Sequence, residues 1–331
     1  LTKQLDTLRD LGISRAYLHV DGWGFHGYDA HHPDVLPPCP QAGGWEGLIA
    51  FAQKAQELGY LFGLHDQYHD YYLNGPAYQD RRTLKGPGGE SPTYDVWAGG
   101  AQNFLCGREA LPYVRRTFEE LLVRGVPLTA SYLDVFAAIV LDECYDPGHP
   151  MTRTDCLRWR AEALEYVRSL GLAVSSEEPV DQFVPHLDFC HWADAPRWQF
   201  MSGPPIGIPV PLHNLVYHDA LLTPAVYDAG YDGSLRNEYA LRGLAEAEIP
   251  YGRLGWDQPS QFAHTRLMAA LHADWGTHEL VDHQLLEANG SIQSFVYPNG
   301  SVQIDLARQR YRICGGRLQT DGWVALEEET P

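Results

Sequence analysis

Helical and extended patterns alternate along the first 275 residues. LTKQLDTLRDLG (1–12) reads as an amphipathic helix closed by glycine. RAYLHVD (15–21) reads as a strand, WEGLIAFAQKAQELG (45–59) as a helix and YLFGLHD (60–66) as a strand. A long polar insertion follows, with turn chemistry in KGPGGESP (85–92). REALPYVRRTFEELLVRG (108–125) predicts a helix, LTASYLD (128–134) a strand, DCLRWRAEALEYVRSLG (155–171) a helix and LAVSSEE (172–178) a strand. LDFCHWA (187–193), VPLHNLVYHD (210–219) and YGRLGWD (251–257) read as further strands, with helices near 233–247 and over 259–275.

Repeated strand-then-helix units predict a parallel sheet and an α/β fold. About seven strands are legible and the chain opens on a helix. One strand upstream of Leu1 would complete a (β/α)8 barrel of ~250 residues. A doubly wound open sheet is the alternative, but its usual G-x-G-x-x-G turn does not follow the first strand. The barrel is expected over residues 1–278. Residues 279–331 alternate apolar and polar side chains around turns at Pro298-Asn299-Gly300 and Gly315-Gly316, which predicts a small antiparallel, sandwich-like β domain. Asn289-Gly-Ser and Asn299-Gly-Ser also read as turns.

Several function classes are disfavoured by composition. A net charge of −19 offers no basic groove for nucleic acid and no basic membrane-surface helix. No run of ~18 apolar residues is present to span a bilayer. No signal peptide is apparent. A secreted or cell-surface location is expected if the target is a polymeric glycan, a cytoplasmic one otherwise. The six cysteines, Cys39, Cys106, Cys144, Cys156, Cys190 and Cys314, form no C-x-x-C pair. That spacing argues against zinc-finger and thioredoxin-type readings. Cys156 and Cys190 are expected to be buried thiols.

Barrel active sites lie at the carboxyl ends of the strands. Here those ends read Asp21, Asp66, Asp134, Glu177-Glu178, His218-Asp219 and Asp257. One aspartate there would be a cap or turn former; so many at one level predict a carboxylate-lined pocket. Side chains alternate along a strand, and the helix-facing side wants Leu and Val. In 172–178 that turns Ala173, Ser175 and Glu177 inward and leaves Glu178 over the rim or against a helix. The same test turns Ala130, Tyr132 and Asp134 inward, and Tyr17, His19 and Asp21. In 60–66 both faces are mixed and parity does not decide.

Two inward carboxylates on neighbouring strands suit glycoside hydrolysis, one as nucleophile and the other as acid and base. Strands ~4.8 Å apart favour the short separation of a retaining enzyme. Trp23, Tyr68, Tyr71, Tyr72, Trp192, Tyr217 and Trp256 fall at or just beyond strand ends, where rings can pack on sugar C–H faces. Asp134 and Glu177 are therefore the expected catalytic pair. Asp21, Trp23, Asp66, Tyr68, Tyr132, His218, Asp219, Trp256 and Asp257 are the expected carbohydrate-binding residues.

Two other readings remain. A metal-dependent hydrolase could draw on His65, Asp66, His69, Asp70, His213 and His218, although the four-residue spacing of His65 and His69 is not on a helix. A non-catalytic carbohydrate-binding barrel is the other. No cofactor is required by the glycosidase reading; a structural calcium on Asp142, Glu143 and Asp146 is a possible addition. Serine or cysteine nucleophiles are disfavoured, because no G-x-S-x-G occurs.

The motifs YLDVF with SSEEP, GLHDQYHDYY and LVYHD resemble the barrel of α-N-acetylgalactosaminidases in glycoside hydrolase families 129 and 101. The resemblance covers about residues 1–275 and the β tail. It implies an aspartate nucleophile ending strand four and a glutamate acid/base ending strand five. With one strand before Leu1, these are Asp134 and Glu177. It further implies α-linked GalNAc or galactose-type substrates, with Asp21, Asp66, Asp257, His218 and Asp219 as sugar-binding candidates.

Overall fold

A computed structural model describes residues 1–95, 97, 99–193, 207–225, 236–252 and 263–326. The chain forms two compact units, Leu1–Asp188 and Phe189–Pro331.

The first unit runs α1 (Thr2–Asp10), β1 (Tyr17–Val20), α2 (Gly44–Glu57), β2 (Leu61–Asp66), β3 (Asp70–Tyr72), β4 (Gln102–Phe104), α3 (Gly107–Val123), β5 (Ala130–Leu133), α4 (Arg153–Ser169) and β6 (Ala173–Glu177). Strands β1, β2, β5 and β6 lie side by side in that order, all parallel. β3 and β4 pair antiparallel in a separate ribbon within the polar insertion.

Each helix stops the same way. Gly12, Gly59, Gly125 and Gly171, just past the four helix ends, carry φ of 86, 76, 78 and 81°. That left-handed conformation is cheap only for glycine, and it turns the chain back toward the next strand. α4 starts on a reciprocal cap between Thr152 and Asp155. Leu18, Phe62, Leu64, Leu133 and Val174 are buried on the sheet. The Phe62 ring meets Phe51 of α2 edge-on at 5.7 Å, and burying each such side chain is worth about 1.5–3 kcal/mol. Gly63 of β2 has no room for a side chain: a Cβ would lie 2.8 Å from the Ala130 carbonyl and the Tyr17 hydroxyl. This glycine leaves the inward face of β2 with little sequence signal, which is why parity was undecided there.

The second unit contains β7 (Phe189–His191), α5 (Leu212–Tyr217), α6 (Arg236–Ala245), α7 (Ala263–Trp275), β8 (Asp282–Leu285), β9 (Ile292–Tyr297), β10 (Gly300–Asp305), β11 (Arg310–Gly315) and β12 (Val324–Ala325). Two parallel bridges, Phe189 to Leu222 and Pro224 to Ile249, continue the parallel pattern. The expected strand over 210–219 is instead helix α5. Residues 253–257 of the strand expected at 251–257, and the start of the helix expected from 259, lie outside those described.

The last five strands form one antiparallel sheet in the order β12-β11-β10-β9-β8. Its first hairpin pairs Tyr297 with Gly300 around Pro298-Asn299, where the turn was expected. The described residues there form a single antiparallel sheet. Its apolar side chains Phe295, Val302, Ile304 and Ile313 share a core with Leu241, Leu244, Met268, Leu271 and Trp275 of α6 and α7. One apolar sheet face needs one covering layer, and the helices supply it.

Candidate active site

Asp134 and Glu177 come from adjacent parallel strands. Tyr132 of β5 is level with Ser175 of β6, so the residues two positions on lie side by side. Backbone bonding extends past β5, where the Asp134 amide donates to the Asp66 carbonyl at 2.7 Å. Buried serines are accommodated because each hydroxyl reaches a neighbouring strand: Ser175 donates to Ser131 O at 2.7 Å, and Ser176 to Leu133 O at 2.6 Å. The Tyr132 hydroxyl joins the two carboxyl groups. It donates to Asp134 Oδ1 at 2.9 Å and lies 3.4 Å from Glu177 Oε2. His65, level with Tyr132 on β2, places Nε2 3.5 Å from Asp134 Oδ2.

The two carboxyl groups are driven apart in acidity. Glu177 is pushed up to about 9 by burial, then by the charges of Asp134 and Glu178. Burial also opposes ionisation of Asp134, but His65 and the Tyr132 hydroxyl together hold it below the usual carboxylate range. Burial alone would lower His65; its contact with Asp134 overrides this and raises it to about 9. At neutral pH the site therefore contains an ionised Asp134, a protonated His65 and a protonated Glu177. Such divergence marks one carboxyl group as nucleophile and the other as proton donor.

Each of the two is followed by a strained residue. Val135 and Glu178 have φ of 52 and 40°, unusual without glycine and more so for a β-branched side chain. The bend at Glu178 ends strand alternation. Burial and the Asp134 charge push Glu178 up to about 7.

Asp21 is exposed and lies 3.8 Å from His19 Nε2, while the His19 ring packs on Tyr132 at 4.7 Å. Trp23, Asp66 and Tyr68 are buried instead at 4%, 1% and 1% exposure. Because His65 points inward, its neighbour Asp66 points to the helix-covered face. Trp23 donates its indole N–H to His65 O at 2.9 Å, and Tyr68 OH lies 3.5 Å from Asp66 Oδ2. These three support the strand from behind. His218 lies in the second unit at the end of α5, with its ring nitrogens against the carbonyls of Glu246 and His278. Asp219 beside it is exposed. Trp256 and Asp257 lie outside the described residues.

Sequence reasoning missed much of the site's surroundings. Tyr28, 56% exposed, sets its ring 5.3 Å from His65. His32 is buried and driven down to about 3 by burial and the His65 charge, so it is neutral. Asp29 is pushed up to about 6 by burial, then by Asp70 and Asp134. All lie in the non-periodic loop after β1. Its signal was the density of histidines at 26, 31 and 32.

Within the first unit, the residues considered for a hydrolytic metal do not converge. His65 faces Asp134, Asp66 faces away, and His69 sits between Asp70 and Asp142, 3.4 Å from each. The carboxylates considered for calcium meet different protein partners. Asp142 pairs with Arg160 at 2.5 Å, Glu143 accepts from Tyr145 at 2.9 Å, and Asp146 accepts from the Gly148 amide at 2.7 Å. No described helix is long and apolar enough to cross a membrane.

No protein-family model matches the chain, and no curated protein does. Solved structures do. The ligand-free α-N-acetylgalactosaminidase NagBb from Bifidobacterium bifidum is 40% identical, with a TM-score of 0.85, over 94% of this chain and 52% of that one. The GalNAc complex of NagBb is 38% identical, with a TM-score of 0.84, over 95% and 52%. The family 36 α-galactosidase AgaA from Geobacillus stearothermophilus shares the fold at 17% identity and a TM-score of 0.61, over 99% and 47%. The chain spans about half the length of these proteins, and what it is similar to over that span is a set of α-glycoside hydrolases.

Proposed function

We propose that this chain carries the reaction centre of a retaining α-glycoside hydrolase acting on α-linked GalNAc or galactose-type sugars, with Asp134 as nucleophile and Glu177 as acid/base. The observation that carries the reading is the Tyr132 hydroxyl held between Asp134 and Glu177, 2.9 Å from Asp134 Oδ1 and 3.4 Å from Glu177 Oε2, with the pKa of Asp134 lowered and that of Glu177 raised. The two carboxyl oxygens can be no further apart than those two bonds laid end to end. That is shorter than the ~6.5–9.5 Å an inverting pair needs to admit water, which supports retention. The strand–helix alternation supports a (β/α)8 barrel over 1–278. The likeness to NagBb, an α-N-acetylgalactosaminidase, supports the proposed sugar class.

The cycle uses only side chains. Asp134 attacks the anomeric carbon as Glu177 gives its proton to the glycosidic oxygen, and the aglycone leaves as an alcohol. Glu177, now a carboxylate, takes a proton from water. The resulting hydroxide displaces Asp134 from the anomeric carbon, and both groups return to their starting states. Tyr132 and His65 hold Asp134 in place and stabilise its charge. No cofactor is needed.

The test is hydrolysis of aryl α-GalNAc, α-Gal and α-Glc by the whole chain, with the product anomer followed by NMR. The expected result is cleavage of an α-GalNAc or α-Gal glycoside with net retention, reduced at least ~10³-fold in Asp134→Asn. Cleavage that survives Asp134→Asn, or that gives the inverted anomer, overturns the proposal.

A further inference from the structure

The cysteines that showed no pattern in sequence gather in space. Cys106, Cys144 and His149 place their ligand atoms within 4.8 Å of one another, and all three are buried. Cys144 Sγ lies 3.4 Å from His149 Nδ1, and Cys106 Sγ 3.9 Å from Met151 Sδ. We infer that Cys106, Cys144 and His149, with the Met151 thioether as fourth donor, form a binding site for a thiophilic d10 cation, Zn²⁺ or Cu⁺, separate from the proposed sugar site.

The spacing suits a tetrahedral ion. Bonds of ~2.3 Å to sulfur and ~2.0–2.1 Å to nitrogen put sulfur donors ~3.8 Å apart and sulfur and nitrogen ~3.6 Å apart. The Cys144–His149 and Cys106–Met151 contacts match those values to within a few tenths of an ångström. Two thiols, an imidazole and a thioether are a soft donor set.

The histidine is already held as a ligand would be. Its Nε2 lies 2.8 Å from the Arg81 carbonyl, so Nε2 carries the proton and the Nδ1 lone pair faces the thiols. The Lys85 amide donates to Cys144 Sγ at 3.4 Å. Cys106 is the residue at which α3 begins.

The backbone fixes three of the four donors on one hairpin. Cys144 and Met151 exchange amide bonds of 2.8 and 3.0 Å, with His149 in the turn between them. The fourth donor, Cys106, meets this hairpin from the start of α3. Leu84, Cys156, Phe104, Leu141 and Trp159 surround the cluster, so a bound ion would be shielded from bulk water and would tie the hairpin to α3.

The experiment titrates the reduced, chelator-dialysed whole chain with Co²⁺, as a spectroscopic stand-in, then Zn²⁺, and separately with Cu⁺. The expected result is one equivalent of Co²⁺ with the absorption of a tetrahedral thiolate complex, displaced by Zn²⁺, or one equivalent of Cu⁺. Cys144→Ser is expected to weaken binding by more than the ~10–100-fold that loss of a supporting residue costs. Cys156→Ser, a neighbouring thiol outside the donor set, is expected to leave stoichiometry unchanged. If Cys144→Ser fails to fold, His149→Asn provides the comparison, with the thiolate band retained and shifted. Absence of stoichiometric binding of both cations by the parent overturns the inference. So does equal binding by Cys144→Ser, or a Cys106–Cys144 disulfide whose reduction restores no uptake. Sugar hydrolysis enters none of these readouts, so this inference and the glycosidase reading can fail independently.

Discussion

Glu177 and Asp134 are chemically similar side chains at equivalent positions on neighbouring strands, and their surroundings give them opposite charge states. Glu177 is buried beside two other carboxyl groups, and Asp134 is touched by a cationic ring and a hydroxyl. Since the proposed reaction needs Glu177 protonated and Asp134 ionised, kcat/KM is expected to form a broad plateau. Its alkaline limb should lie near the raised value of about 9 for Glu177, and its acid limb below the ordinary aspartate range. Glu177→Gln should remove the alkaline limb. It should also cost ~10²–10⁴-fold on alkyl glycosides, whose leaving groups need a proton, and far less on activated aryl glycosides. A pH profile of both enzymes on both substrate types decides it; equal losses on the two would sink the acid role. Asp134 and Glu177 were legible because the alternation in LTASYLD and LAVSSEE is clean. His65 was named only as a possible metal ligand, because Gly63 blanks the inward face of its strand. Tyr28, Asp29 and His32 were not legible, since a loop carries no periodicity to say which side chains converge.

At the ends of β5 and β6 the chain leaves the sheet through left-handed residues, Val135 after Asp134 and Glu178 after Glu177. A β-branched residue in that region costs roughly 1–2 kcal/mol, and such strain persists where the surroundings over-determine it. Here Ser176 accepts the Ala137 amide at 3.2 Å and the Val180 amide reaches the Ala137 carbonyl at 3.0 Å, locking the two turns together. Val135→Gly relieves the torsional cost and loses about 0.5–1 kcal/mol to the freer unfolded chain. The expected outcome is a net change within about 1 kcal/mol in the stabilising direction, measured by denaturant unfolding. A loss well beyond that would mean that the Val135 side chain, rather than its backbone, holds the turn. The four helix–strand units of the first half were legible from apolar period and terminal glycines. VPLHNLVYHD was misread because a short apolar run fits either period. Its apolar residues settle as one and a half turns of helix, with Asn214 buried and bonded to Glu246 at 2.6 Å.

Across the whole chain, 43 acidic residues face 24 lysines and arginines, and several acidic groups are harder to ionise folded than unfolded. Asp29, Asp66, Glu177 and Glu178 are raised to about 6, 7, 9 and 7. For a carboxyl group raised on folding, the folded state holds the proton while the unfolded state has released it. Stability is then full below the unfolded value and falls as pH rises toward the folded one. His65 acts in the same direction. Its value is raised to about 9, so its contribution is present below about 6.5 and lost as pH climbs through the folded value. Asp134 and Asp142 are lowered; their contribution is present above the ordinary aspartate value and lost only in stronger acid. Growing net negative charge adds repulsion on the alkaline side. Buried histidines such as His32 and His264, lowered to about 3 and 4, act in the opposite direction, but the raised carboxyl groups and His65 outweigh them and place the stability maximum on the acid side of neutrality. Thermal unfolding of the whole chain is expected to show a midpoint at least ~5 °C lower at about pH 8 than at about pH 5, at ~2–4 °C per kcal/mol. Glu177→Gln removes one of the largest contributors and should flatten that slope. A midpoint that rises between those two pH values in the parent protein would mean that these carboxyl groups are ionised in the folded state, and with them Glu177, the proton donor on which the proposed chemistry depends.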